Sequence, residues 1–166
     1  MLNKILTVKN ISQIALLTAI LFIQEQILSF IPNIQLTIFL IILFSKKIGL
    51  AKTSFIVFIH TILDNLVLGS FNILFVISML IGWLIIPITI NTIFKKINHK
   101  IGLSLLGILF SFIYSAILII PHLLTYKMSL MAYLSYDIIW QVLLVSSSFI
   151  STLLLYDPCS KIFNTI

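Results

Sequence analysis

Long apolar runs separated by short polar turns occupy almost the whole of this sequence, and they leave few folds open to it. Hydrophobic residues make up 61% of the chain and charged residues 8%, with a mean hydropathy of +1.25. These values exclude a water-soluble domain. A helix of roughly 20 apolar residues crosses a bilayer with every backbone polar group paired inside the segment. The sequence therefore predicts an all-α integral membrane protein.

About six such runs are present, with no linker or repeat between them, so they predict a single compact transmembrane bundle over residues 1–166. The second and third runs are short. We expect them to be tilted, to thin the bilayer locally or to be shielded by neighbouring helices. The predicted spans are residues 11–30, 34–45, 53–68, 73–94, 101–124 and 132–156.

Lysine positions favour a turn at residues 31–33 over one uninterrupted helix across residues 25–44. With that turn, every lysine except Lys127 falls on one side, which the positive-inside rule assigns to the cytoplasm. Pro followed by Asn is also a turn signal. We therefore predict that both termini are cytoplasmic. The lysines of that side are Lys4, Lys9, Lys46, Lys47, Lys52, Lys95, Lys96, Lys100 and Lys161.

Several function classes lack their sequence signature. The lysines form short clusters between apolar runs, which does not favour nucleic acid as a partner. No glycine-rich loop ends in Lys-Ser or Lys-Thr, so energy for transport must come from an ion gradient or another subunit. Cys159 is the only cysteine, so no structural zinc site is expected, nor any other metal or cofactor. No protease or phosphatidyl-transfer motif is present, and we predict no enzyme activity.

Acidic residues inside a bilayer cost at least about 2.5 kcal/mol each, so each one is a functional candidate. In the predicted topology Glu25, Asp64 and Asp137 all fall in the outer half of the membrane. One pocket that opens outward would explain this bias. The predicted substrate-binding residues are Glu25, Asn33, Gln35, Asp64, Asn65, Asn72, Trp83, His122, Tyr126, Asp137, Trp140 and Gln141.

Structural explanations stay open for several of these side chains. Asp64 and Asn65 could cap a helix end, Asp137 could favour the positive end of its helix, and Glu25 could reach the interface. His60 is interpreted as a hydrogen-bonded core histidine. The tyrosines Tyr133 and Tyr136 are interpreted as part of an interfacial aromatic belt.

No lysine or arginine lies within the predicted spans to balance the three acids. If the acids share a pocket, a histidine, a proton, a helix N-terminus or the ligand must balance their charge. We expect a ligand that is cationic, or neutral and rich in hydrogen-bond donors, with aromatic character to stack on Trp83, Trp140 or Tyr126.

Three short features add a family resemblance that extends over most of the chain. Ala15 and Ala19 form a small-residue stripe early in the first span. The segment Ser29-Phe30-Ile31-Pro32-Asn33-Ile34-Gln35-Leu36 follows that span, and Asp137-Ile138 opens the last one. Together with the six-span, N-in architecture, these features resemble the S components of energy-coupling factor (ECF) transporters.

The resemblance implies a subunit of the bacterial cell membrane that captures a vitamin or related micronutrient from outside. Ala15 and Ala19 would then dock on a membrane coupling subunit that is driven by two cytoplasmic ATPases. One departure concerns Ile139, which stands where many members have a proline after Asp-Ile. It leaves the subfamily and the detailed role of Asp137 open.

Two other function classes remain as alternatives. A structural subunit similar to the MreD family of rod-shape proteins would need no pocket, so a copurifying small heterocycle would argue against it. A small secondary transporter would be expected to show inverted repeats or broken helices, which this sequence lacks.

Overall fold

Helices make up the fold of this chain. The computed structural model describes residues 7–31, 33–67 and 71–163, and within these ranges it contains five α-helices and no β-strand. Four of them, all but α2, are long and apolar enough to cross a membrane. The predicted all-α class with membrane-length helices is therefore confirmed. The helices are α1 Val8–Leu28, α2 Thr37–Val67, α3 Ile73–Asn91, α4 Lys100–Tyr126 and α5 Leu130–Phe163.

The predicted number of six helices is wrong for the described residues. The predicted spans 34–45 and 53–68 both belong to α2, in which a single residue, Gly49, leaves the helical conformation with φ 81° and ψ 176°. That combination is essentially accessible to glycine alone. The lysines on either side predicted a loop there, but one glycine interrupts the helix without one.

Helix α2 folds back on itself at Gly49. The Oγ1 of Thr37 lies 3.5 Å from Oε2 of Glu25, and the Nε2 of His60 lies 3.0 Å from the same oxygen. In a straight helix two residues separated by 23 positions would lie about 34 Å apart. The two halves of α2 therefore run in opposite directions, and both reach the same point on α1.

The first half of α2 forms the centre of the bundle. Residues 37–45 are all buried, and α2 packs against each of the other four helices. A helix that is apolar on every side is stable only when it is surrounded. Of the three ways in which a short span could be accommodated, the structure therefore shows shielding by neighbouring helices.

One end of the bundle, which we call the lysine end, carries Lys46, Lys52 and Lys100. Lys46 donates to the carbonyls of Phe94 and Lys95 at 3.1 and 3.2 Å, and Lys52 donates to Oε1 of Gln13 at 2.9 Å. Lys100 forms an exposed ion pair of 3.3 Å with Asp157.

Both described ends of the chain lie near this lysine end. Gln13, close to the start of α1, contacts Lys52, while the ring of Phe163 at the end of α5 lies 6.0 Å from that of Phe44. The described part of the chain therefore leaves the lysine end and returns to it.

Small residues hold α4 and α5 together along a seam formed by Gly107, Ser111 and Ser148. The hydroxyls of Ser111 and Ser148 lie 2.8 Å apart, and that of Ser148 also donates to the carbonyl of Gly107 at 3.2 Å. A Cβ on Gly107 would lie 3.3 Å from the carbonyl oxygen of Ser148. This close approach is typical of small-residue packing between membrane helices.

Parts of three predicted features lie outside the described residues. These are Pro32 in the first predicted turn, Gly69 and Ser70 in the second external connection, and Lys4 among the lysines. The third connection is as short as expected. Helix α4 ends at Tyr126, Lys127 adopts a left-handed conformation with φ 52°, and α5 begins at Leu130.

We predict that Gly49→Ala destabilises the protein through its backbone alone. A Cβ at Gly49 would meet nothing within 4 Å, so steric contact adds no penalty. The strained backbone should lower the free energy of unfolding by about 1–3 kcal/mol. Denaturant unfolding in detergent, followed by circular dichroism, measures this change. Leu50→Ala at the neighbouring exposed position is the control, and equal stability of Gly49→Ala and wild type would contradict the prediction.

Candidate functional site

A polar cavity of about 610 Å³ opens at the end of the bundle opposite the lysine end. Its described lining comes from all five helices and from the segment that joins α1 to α2. Three carboxylates, those of Glu25, Asp64 and Asp137, lie on three different helices around it, and no lysine is among the described lining residues. The side chains that line it are Glu25, Gln26, Leu28, Ser29, Ile31, Asn33, Ile34, Gln35, Asp64, Met79, Tyr114, Ser115, Leu118, His122, Tyr133, Tyr136, Asp137, Trp140 and Leu144.

Glu25 stands between a buried histidine and the open cavity. His60 is completely buried, and its Nε2 lies 3.0 Å from Oε2 of Glu25, whose side chain is 22% exposed. The two atoms are at ion-pair distance, although neither ring nitrogen of His60 has a partner in hydrogen-bond geometry. His60 is thus not the hydrogen-bonded core histidine that the sequence predicted. It supplies the counter-charge for Glu25 whenever it is protonated.

The neighbouring Gln24 turns away from the cavity and fixes the start of α2. Its Nε2 donates to Oγ1 of Thr37 at 2.9 Å, and its Oε1 accepts from the backbone amide of Leu36 at 2.9 Å. Thr37 in turn donates to Oε1 of Gln35, also at 2.9 Å. Gln24 therefore ties α1 to the residues at which α2 begins.

The segment between α1 and α2 is tied to α5 across the mouth of the cavity. Asn33, in a left-handed conformation with φ 56°, donates from Nδ2 to the carbonyl of Trp140 at 3.1 Å. The Ser147 hydroxyl lies 3.4 Å from the carbonyl of Asn33 and 3.3 Å from that of Gln35. Asn33 and Gln35 therefore both line the cavity and connect its two sides.

The acids beyond Glu25 lie in contrasting surroundings. Asp64 is buried, and its Oδ1 accepts a hydrogen bond of 3.5 Å from Nε2 of Gln26. Asp137 is partly exposed and lies on the wall that also carries His122 and Tyr133. The rings of His122 and Tyr133 are 5.0 Å apart, and Nδ1 of His122 lies 2.7 Å from the carbonyl of Leu118. A bound cation would find carboxylates on opposite walls.

An aromatic pair supports the floor of the cavity. The rings of Trp83 and Tyr114 stack with centroids 3.8 Å apart and planes inclined by 19°. Tyr114 lines the cavity, whereas Trp83 is only 1% exposed and is not part of the lining. Of the aromatic residues that the sequence predicted to stack on a ligand, Trp140 lines the cavity, and Tyr114 lines it in place of Trp83.

Seven of the twelve predicted substrate-binding residues line this cavity. They are Glu25, Asn33, Gln35, Asp64, His122, Asp137 and Trp140. The other five do not line it. Asn65 donates to the carbonyl of Thr61, Asn72 accepts from the amide of Leu74 as the cap of α3, and Trp83 is covered by Tyr114.

Tyr126 and Gln141 are the remaining two of those five, and they lie in other parts of the bundle. Tyr126 is 64% exposed, with its ring near those of Phe75 and His122. Gln141 accepts a hydrogen bond from the hydroxyl of Ser115 and lines a separate groove between α4 and α5.

Sequence reasoning missed several lining residues, notably Gln26, Tyr114 and Ser115, and it assigned Tyr133 and Tyr136 to an interfacial belt. A helical repeat could have identified the two belt tyrosines, because positions 133, 136, 137, 140 and 144 share one face of α5. No comparable signal marked Tyr114, since only the packing of α4 decides which of its faces meets the cavity.

Metal binding has no obvious place in this cavity. Within the described ranges, no three histidine, cysteine, aspartate or glutamate side chains come close enough to hold an ion. What the arrangement can do is bind a compact polar molecule through carboxylates, amides and aromatic faces.

Comparison with known proteins assigns no function to this cavity. No family model, curated protein or solved structure matches the chain.

We predict that Glu25 and His60 are energetically coupled. In a double-mutant cycle, Glu25→Gln and His60→Leu should together cost less than the sum of the single changes, because each single change removes the same contact between the two side chains. The expected coupling is about 0.5–3 kcal/mol, measured from unfolding free energies in detergent. A parallel cycle of His60→Leu with Asp157→Asn, at the lysine end, should be additive. Additivity in the Glu25 cycle would contradict the prediction.

Proposed function

We propose that this protein is the substrate-capturing subunit of an ECF-type importer and binds a vitamin or related micronutrient in the polar cavity. We call this cavity the acidic cavity, after its three carboxylates. The observation that carries the proposal is the convergence of three carboxylates on one cavity whose described lining includes no lysine. Acidic side chains are costly within an apolar bundle, and a chain that must hold a polar molecule there has a use for them.

The position of the lysines supports an outward-facing cavity. Lys46, Lys52 and Lys100 lie at the end of the bundle opposite the cavity. When the positive-inside rule is applied to this geometry, the lysine end is cytoplasmic and the cavity faces the exterior. Both termini are then cytoplasmic, and the protein resides in the bacterial plasma membrane.

The chemistry of the cavity favours a ligand that is cationic, or neutral with many hydrogen-bond donors. Glu25, Asp64 and Asp137 are acceptors when ionised, and His60 can balance only one of them. Tyr114 and Trp140 offer aromatic faces on either side, which suits a flat heterocycle or an organic cation.

Energy for import is proposed to come from other subunits. Ala15 and Ala19 are exposed one turn apart on α1, a peripheral helix that packs chiefly on α2. This smooth face leaves room for a partner helix to approach closely. The proposed partner is a membrane coupling subunit that carries two cytoplasmic ATPases, while this chain itself performs no catalysis.

We predict that the triple variant Glu25→Gln, Asp64→Asn and Asp137→Asn no longer retains its substrate. Each hydrogen bond to a charged group contributes about 1.5–3 kcal/mol, so the loss of even one should weaken binding about tenfold or more. Mass spectrometry of small molecules released from the purified protein measures occupancy and also identifies the compound. Asp157→Asn, which neutralises the remaining acid of the chain, should leave occupancy unchanged. Equal occupancy in the triple variant and wild type would contradict the proposed site.

We predict that Ala15→Trp or Ala19→Trp abolishes uptake and leaves substrate binding intact. A bulky ring on the small-residue stripe would prevent close approach of the coupling subunit, while the cavity lining begins at Glu25, about 9 Å further along α1 than Ala19. Uptake of the compound retained by the wild type is measured in cells, and occupancy is measured on the purified variants. Ile20→Trp, which places the same ring on a neighbouring exposed position, is the control. Parallel loss of uptake and occupancy would refute the separation of the two functions.

A further inference from the structure

A second hollow, of about 560 Å³, lies between α4 and α5 on the outer surface of the bundle. We call it the lateral groove. Most of its lining is apolar, with Phe112, Ala116 and Ile119 on α4 facing Leu134, Ile138 and Val142 on α5. Phe112 and Ile138 are more than half exposed. The groove therefore opens sideways, toward the space that lipid would occupy around the bundle.

The lateral groove and the acidic cavity share a wall. Three residues line both hollows, namely Ser115, Tyr133 and Asp137. Ser115 and Tyr133 carry hydroxyl groups, and Asp137 carries a carboxylate. A polar group held by Asp137 in the cavity is thus adjacent to the apolar surface of the groove.

The groove is closed at one end and carries an unsatisfied donor. Toward the lysine end, the seam of Gly107, Ser111 and Ser148 brings α4 and α5 into contact and leaves no space between them. Next to the shared wall, Nε2 of Gln141 is buried without a hydrogen-bond partner, while its Oε1 accepts from Ser115. An unpaired buried donor costs about 1–3 kcal/mol, and since Gln141 lies beside the shared wall, an acceptor at the polar end of a ligand could recover this cost.

From this continuity we propose that the substrate is an amphipathic cation, with its head in the acidic cavity and an apolar arm in the lateral groove. The proposal rests on the capture function proposed above and narrows its substrate class. The three carboxylates define the charge of the head. The apolar walls of the groove, which adjoin the cavity at Asp137, define the arm.

A homologous series of N-alkylpyridinium ions, from methyl to octyl, tests the proposal directly. The pyridinium ring supplies a flat cation for the cavity, and the alkyl chain supplies an arm of graded length. Binding to the whole protein in lipid nanodiscs is measured by calorimetry, and titration of empty nanodiscs corrects for partitioning into lipid. We expect affinity to rise about two- to fourfold for each added methylene until the groove is full.

Variants in the groove identify where the chain binds. Ala116→Trp fills the α4 side of the groove and should remove the dependence on chain length, while methylpyridinium binds as it does to wild type. Val142→Trp, on the α5 side, gives a second version of the same test if the first variant does not fold. Leu109→Trp is the matched control, because Leu109 is exposed on α4 outside the groove and should preserve the dependence.

The outcomes separate this inference from the proposed function. Affinity that rises with chain length in wild type, and is flat in the groove variants alone, supports the inference. Methylpyridinium binding with no gain from longer chains would overturn it and leave the capture function standing. A gain that persists in both groove variants would also overturn it, because the arm would then bind elsewhere. Failure of every pyridinium to bind would refute the cationic head, whereas the capture function depends on the retained compound and its loss in the triple carboxylate variant.

Discussion

The carboxylate of Glu25 is the point at which three helical segments of this protein meet. Its Oε2 lies 3.5 Å from Thr37 and 3.0 Å from His60, which belong to opposite halves of α2. A charged group inside an apolar bundle must be met by polar partners, and these partners can reach it only if α2 reverses at Gly49. The fold-back in turn surrounds residues 37–45 and gives the bundle its core. The architecture of the chain and the chemistry of its cavity thus depend on the same contact.

The same constraint explains why polar side chains are divided between the two ends of the bundle. At one end, lysines donate hydrogen bonds to backbone carbonyls and to Gln13, and one lysine forms an ion pair with Asp157. At the other end, acids, amides and a histidine gather around a hollow in which they can be solvated or paired. Between the ends, hydroxyl groups mostly bond within their own helices, as Thr18, Ser45 and Thr61 do. A capture site open to one side of a membrane is a natural use of such an arrangement.

Part of the candidate site could be predicted because the cost of a buried charge does not depend on the fold. Glu25, Asp64 and Asp137 stand out in an apolar sequence, and the structure brings them to one cavity. Uncharged polar residues carried no such signal. Asn72 caps a helix, Asn65 bonds to its own helix, and Gln141 lies in the groove beyond the shared wall. Tyr114 was missed for the converse reason, since a tyrosine in an apolar helix is equally suited to lipid, core or ligand.

The sequence by itself determined that this chain is a bundle of apolar helices with all lysines but Lys127 assigned to one end and three of its four acids to the other, because hydropathy and charge act on each segment separately. Only the tertiary structure decided that two predicted spans form one helix that folds back at Gly49, that His60 faces Glu25, and that Ser115, Tyr133 and Asp137 line both a polar cavity and an apolar groove. These features arise from the rotation and depth at which helices pack. Neighbouring side chains set both quantities, and a pattern along one segment does not contain them.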